Sequence, residues 1–152
     1  IMYKFKKSID DHISIKSWFG KWEEFVVGCN FKSARDLFEE EVVSFGTWMN
    51  VVQGLDELEL KQWKNIWPTI KGFKFLTETL FIQMSPDKLF ANSILTWESL
   101  GFDEKGTSFY RTGRASVVLK RIDIYNDWKG IHTHFSLNRN IPQKSFGKFK
   151  KI

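Results

Sequence analysis

Cysteine is almost missing from this sequence. Cys29 stands alone, so no disulfide can form within the chain, and a reducing compartment, the cytoplasm, is the expected location. Proline is scarce, with three residues in 152, and there is no repeat or low-complexity block. The chain therefore reads as one domain, 1–152, long enough to bury a real core. No apolar run approaches the ~20 residues of a membrane-spanning helix. The opening "IMYKFKKSIDD" has basic residues but lacks the apolar stretch of a secretory signal, so no membrane partner is expected. Acidic residues are absent from the two ends, at about 1–7 and 144–152, where seven lysines sit. Those tails carry the whole net charge of +5; what remains has 16 basic against 18 acidic residues. A body with no basic surplus argues against a nucleic-acid partner.

What the sequence does have is aromatic bulk: fifteen Phe, seven Trp and three Tyr. Near the N-terminus, Ile15, Trp18, Phe19, Trp22, Phe25, Val26 and Cys29 follow the i, i+3, i+4, i+7 spacing of a helix with one apolar face. Ser14 is placed to cap it. "NFKSARDLFEEE" predicts a short second helix with Ala34, Leu37 and Phe38 inward, and "VVSFGTWMNVVQG" predicts two short strands or a bent hairpin. A third helix is expected from Leu55 to about Ile70, broken by Pro68 and stopped by Gly72. The pattern then changes to four long strands with short connections, at about 73–84, 88–102, 109–124 and 128–137. Helices followed by an antiparallel meander define an α+β architecture.

"NFKSARDLFEEEVV", "FGT", "GLDELELKQW", "TGRASVVLKR" and "DWKGIHTHFSL" occur in an order that resembles SnoaL-like, ketosteroid-isomerase-like proteins of the nuclear transport factor 2-like superfamily. The resemblance runs from about Trp18 to Ser136. It implies a cone, a curved antiparallel sheet wrapped around N-terminal helices, with a pocket at one end and a homodimer formed through the sheet's outer face. It also implies several function classes: isomerases, dehydratases and hydrolases of small apolar molecules, and non-catalytic association or carrier modules. In similar proteins the arginine of the Gly-Arg pair and the last-strand histidine point into the cone. These are Arg114 and His132 here.

Residues i, i+2 and i+4 of a strand share a face, so Trp128, Gly130, His132, His134 and Ser136 are expected in one row. An arginine in an apolar cavity needs a counter-charge. For Arg114 that is either an anionic ligand, which its planar fork would grip through a carboxylate, or an internal acid such as Glu98 or Glu78. Arg111 and Arg121 are expected at strand ends in solvent. An imidazole is chemically suited to moving protons, which makes His132 the acid–base candidate. A zinc site needs about three protein ligands, and beyond the His132–His134 pair only His12 and Cys29 are available, without useful spacing. No metal and no cofactor are therefore expected. Trp48 and Trp97, with Trp18 and Trp63, are the candidate pocket walls. The expected ligand is a small apolar or aromatic molecule, one end of which is a carboxylate if Arg114 faces it. No complete isomerase constellation of acids and phenols is visible. Metal-independent isomerase, dehydratase or hydrolase chemistry and a non-catalytic dimeric binding module both remain open.

Overall fold

The computed structural model describes residues 2–147, with side chains from Asp11 onward. Of the expected basic ends, the side chains at 1–7 and the whole of 148–152 therefore fall outside what is described. Helix α1 (Met2–Val27) carries the predicted stripe: Ile15, Trp18, Phe19, Trp22 and Val26 are each 5% exposed or less. Burying each such side chain contributes on the order of 2 kcal/mol. Ser14 does not cap this helix, which continues on both sides of it. Its hydroxyl donates to the Asp11 carbonyl at 2.9 Å and accepts the Trp128 indole N–H at 3.0 Å. The helix ends where Cys29 takes a left-handed φ of 49°. There the Asn30 N–H reaches back to the Phe25 carbonyl at 2.8 Å and the Cys29 N–H to that of Val26 at 3.1 Å, a Schellman closure.

Helix α2 (Phe31–Arg35) is shorter than expected. Asn30 caps it by accepting the Ser33 N–H at 3.2 Å, but Leu37 and Phe38 lie beyond it and Phe38 opens strand β1 (Phe38–Phe45). The apolar face that looked helical at Phe38 is instead the inward face of that strand. Strand β2 (Val52–Gln53) pairs antiparallel with β1, as the bent hairpin required. The third helical segment, 55–69, changes pitch along its length. An α turn is followed by a π segment from Leu58 to Trp63, another α turn, and a 3₁₀ turn through Pro68. The wider π turn brings Leu58, Gln62, Trp63, Ile66 and Trp67 to the buried side together.

Strands β3 (Lys71–Met84), β4 (Phe90–Phe102), β5 (Ser108–Lys120) and β6 (Lys129–Leu137) form the expected antiparallel meander. Gly72 is not the helix stop; it lies inside β3 with φ +60°, where the register to β4 shifts between Lys71 and Lys74. The complete sheet is mixed, in the order β2-β1-β6-β5-β4-β3, because β1 joins β6 in parallel. Register shifts in β3, between β1 and β6, and between β5 and β6 bend and twist it. Its concave face closes on α1 and the third helical segment, which gives the expected α+β cone around N-terminal helices. Among the described residues no helix is long and apolar enough to cross a membrane.

Candidate functional site

A single extra residue decides which side chains enter the cone. Leu119 of β5 stands opposite Gly130 of β6, but the next residue back, Val118, stands opposite His132. Ile131 is the unpaired residue of a β-bulge, and a bulge reverses the alternation beyond it. Before it, Trp128 and Gly130 face inward; Trp128 is 4% exposed, and a Cβ on Gly130 would collide with the ring of Phe38. After it, Thr133 and Phe135 face inward, whereas His132, His134 and Ser136 face out.

The bulge splits the expected row: Trp128 and Gly130 stay inside, while His132, His134 and Ser136 share the outer face with Arg114, and this corrects the placement of four candidates at once. The Arg114 Nε donates to Ser136 Oγ at 2.7 Å on the exposed surface. His132 Nδ1 lies 2.7 Å from the Val43 carbonyl. The rings of His132 and His134 both meet the ring of Phe45 edge-on, with centroids 5.0 and 5.2 Å away. Arg114, Ser136, His134 and His132 are thus brought together outside the cone. Neither Glu98 nor Glu78 forms an ion pair with Arg114.

The tryptophans divide. Trp97 and Trp63 line an inner cavity, and Trp63 stacks on Trp67 with centroids 4.7 Å apart. Trp18 is core, packed edge-on against Phe19, Trp22 and Phe38, and does not line the cavity. Trp48 is 39% exposed on the loop after β1, with Lys144 Nζ 5.6 Å from its ring.

The inner cavity measures about 50 Å³ and is walled chiefly by aromatic side chains, among them Trp22, Trp63, Phe75, Trp97 and Phe135. Its polar lining is Ser44, Thr47, Gln62, Thr133 and Arg111. Ser44 and Thr133 bond each other across the parallel β1–β6 seam, and Gln62 accepts the Met49 N–H at 2.8 Å.

Arg111 is the outlier. It was expected in solvent, yet it is 1% exposed. Its Nη2 donates to Thr47 Oγ1 at 3.1 Å, its guanidinium carbon lies 5.4 Å from the Trp97 ring centroid, and its Nε has no hydrogen-bond partner. Among the described residues it makes no ion pair. Burial pushes its pKa down to about 10, which leaves it charged at neutral pH. The indole N–H groups of Trp22 and Trp97 are also buried without partners. Three of the residues that line the cavity, Arg111, Trp22 and Trp97, thus each carry a buried donor without a partner among the described residues.

By contrast Arg121, also expected in solvent, is 5% exposed but paired: it meets Asp11 at 2.9 Å and lies over Trp128 at 4.0 Å. The signal for both arginines was present in the strand pattern. Arg111 and Arg121 belong to the same alternate set as Ala115, Val117 and Leu119, the more apolar face of β5.

No Asp, Glu, His, Cys or Tyr is among the described residues that line the cavity, and no group of three or more His, Cys, Asp or Glu among the described residues could hold a metal ion. The arrangement can bind and orient an acceptor-rich guest; it offers no side chain that titrates near neutrality.

No family model matches the sequence, and no curated protein matches it. Solved structures do. A nuclear transport factor 2-like superfamily protein from Salmonella enterica superposes with a TM-score of 0.71 at 14% identity, over 95% of this chain and 99% of the other. Hexachlorocyclohexane dehydrochlorinase LinA-type3 from Novosphingobium barchaimii gives 0.70 at 15%, over 87% and 89%. A Xanthomonas campestris protein described as a candidate calcium/calmodulin dependent protein kinase II association domain gives 0.68 at 19%, over 84% and 87%. At these identities the likeness establishes the fold, which is nuclear transport factor 2-like, and leaves function to the site.

Proposed function

We propose that this chain is a small-molecule-binding protein whose cone takes the carboxylate end of an apolar or aromatic molecule, with Arg111 as the anchor. The observation that carries the reading is a charged guanidinium, 1% exposed and without an ion pair, in the wall of an aromatic cavity. A buried cation with no counter-charge is costly, and an anionic guest that accepts from its Nε offsets that cost. The partnerless indoles of Trp22 and Trp97 favour the same acceptor-rich guest.

Isomerase, dehydratase or hydrolase chemistry inside this cavity would call for an acid or base tuned near the working pH. Among the described residues the polar lining is Ser, Thr, Gln and Arg, which supports a binding module over an acid–base enzyme that uses His132. The fold's neighbours include both a dehydrochlorinase and an association-domain protein, so the fold is compatible with either class. We further read the chain as one cytoplasmic domain that forms a homodimer. Phe81, 61% exposed, stands opposite Ile94 on the outer face of the sheet, an apolar contact that a second copy would cover.

Propionate is small enough to probe the anchor alone. Titrated into ¹⁵N-labelled protein, it should shift the Arg111 Nε–H and the Trp22 and Trp97 indole resonances saturably. In Arg111→Met the affinity should fall about ten- to a hundredfold, as expected for a charge-assisted hydrogen bond. Equal affinity in the two proteins, or no binding to either, would refute the reading.

A further inference from the structure

Resting on that reading, we infer that the ligand is an extended amphipathic monocarboxylate, its head on Arg111 and its tail in a second, outer groove. The inner cavity, at about 50 Å³, holds a few water volumes and falls well below the few hundred Å³ typical of a pocket that encloses a whole ligand. It therefore suits a carboxylate and little more. The space it lacks lies next door. A groove of about 530 Å³ opens on the other side of Phe45, Gly46, Thr47 and Phe135, all four of which line both spaces.

The groove adds apolar surface suited to a hydrocarbon chain. Val51 is 53% exposed within it, and Leu137 contributes a second aliphatic wall. Among the described residues neither space is lined by a carboxylate that would repel an acid.

The shared wall is also the segment that Arg111 itself holds. Thr47 accepts from Arg111 through its hydroxyl, at 3.1 Å, and from Gln143 through its carbonyl, at 3.4 Å. The Gly46 N–H closes the turn on the Met49 carbonyl at 3.1 Å, and Gln62 takes the Met49 N–H. A carboxylate that competes with Thr47 for Arg111 loosens one tie of this turn at the moment the head arrives. The head group thus opens the passage that its tail must occupy.

The test is a series of straight-chain monocarboxylates, acetate to decanoate, titrated by calorimetry into the full chain and two variants. Affinity should keep rising beyond butyrate, by about fourfold per methylene, the gain for a buried CH₂. Val51→Asp should weaken octanoate about tenfold, by placing a desolvated charge beside the tail, and leave propionate within about twofold. Val51 is surface-exposed, so this change spares the fold. Arg111→Met should weaken every acid in the series. A plateau at propionate or butyrate, with Val51→Asp indifferent to chain length, defeats the two-part site while the Arg111 anchor stands. If no acid of any length binds, both fall together.

Discussion

Arg111 reaches across the cone from β5 to Thr47 on the loop after β1, and among the described residues that 3.1 Å hydrogen bond is its one side-chain contact with an acceptor. A strand residue 64 positions away in sequence thus holds the turn that walls the cavity. The cation gains one neutral hydroxyl in exchange for its hydration.

That exchange is unfavourable for the empty protein, so removing the charge should stabilise it. Arg111→Met fills a similar volume with an apolar side chain, and replacement of an uncompensated buried charge is expected to raise stability by roughly 1–4 kcal/mol. Urea unfolding of the ligand-free protein reads this directly. A destabilised Arg111→Met would mean that the guanidinium has a structural counter-charge.

Thr47→Val should act in the opposite direction. It strips Arg111 of its hydroxyl acceptor and costs the ligand-free protein about 1–3 kcal/mol. A bound carboxylate replaces the missing acceptor, so saturating propionate should raise the melting temperature of Thr47→Val more than that of the parent. Equal shifts in differential scanning calorimetry would show that ligand and hydroxyl do not share the guanidinium.

The pH dependence follows from the pKa of Arg111, which burial pushes down to about 10, well below the ordinary guanidinium range. Below pH 10 the group is charged in both folded and unfolded chains, and the burial penalty is fully present. Above about pH 10 the folded chain binds fewer protons than the unfolded one, so this group's contribution to stability rises with pH until the unfolded chain's guanidinium also deprotonates. Ligand affinity runs the other way, because the carboxylate needs the charged form. Propionate binding should be flat from pH 6 to 9 and weaken above about 10, by up to tenfold per pH unit. Proton uptake on binding, measured by calorimetry in buffers of different ionisation enthalpy, should appear only in that upper range.

His132 should prove structural. Its Nδ1 bonds the Val43 carbonyl along the parallel β1–β6 seam, so His132→Ala should cost about 1 kcal/mol of stability. Propionate affinity in that variant should stay within about twofold of the parent, because the imidazole lies outside the cone. A loss of binding comparable to that of Arg111→Met would return His132 to the site.

Much of the molecule was legible before its structure. The three- and four-residue spacing from Ile15 to Val26 defined α1 and its buried face, because helical periodicity is set by local backbone geometry. The alternation of Ala115, Val117 and Leu119 defined the inner face of β5 for the same reason. Together with the order of helices and strands they defined the α+β architecture, and the family resemblance implied the cone. Trp97 and Trp63 line the inner cavity. The arginine that faces it is Arg111, whereas Arg114 lies on the outer face.

Tertiary structure decided which arginine and which strand face. Nothing in the residues around Ile131 announces that it stands unpaired, since a bulge depends on how two strands distant in sequence meet. Yet that one residue sends His132, His134 and Ser136 outward. Arg114, opposite Ser136, shares the outer face with them, while Arg111 is carried by the apolar alternation of its own strand. It is buried against Thr47 and Trp97. The sequence by itself determined the periodicities, and with them the layers. The pairing of β5 with β6 and the closure of the β1–β2 loop determined where a charge is stripped of water, and that is what makes Arg111 the candidate anchor.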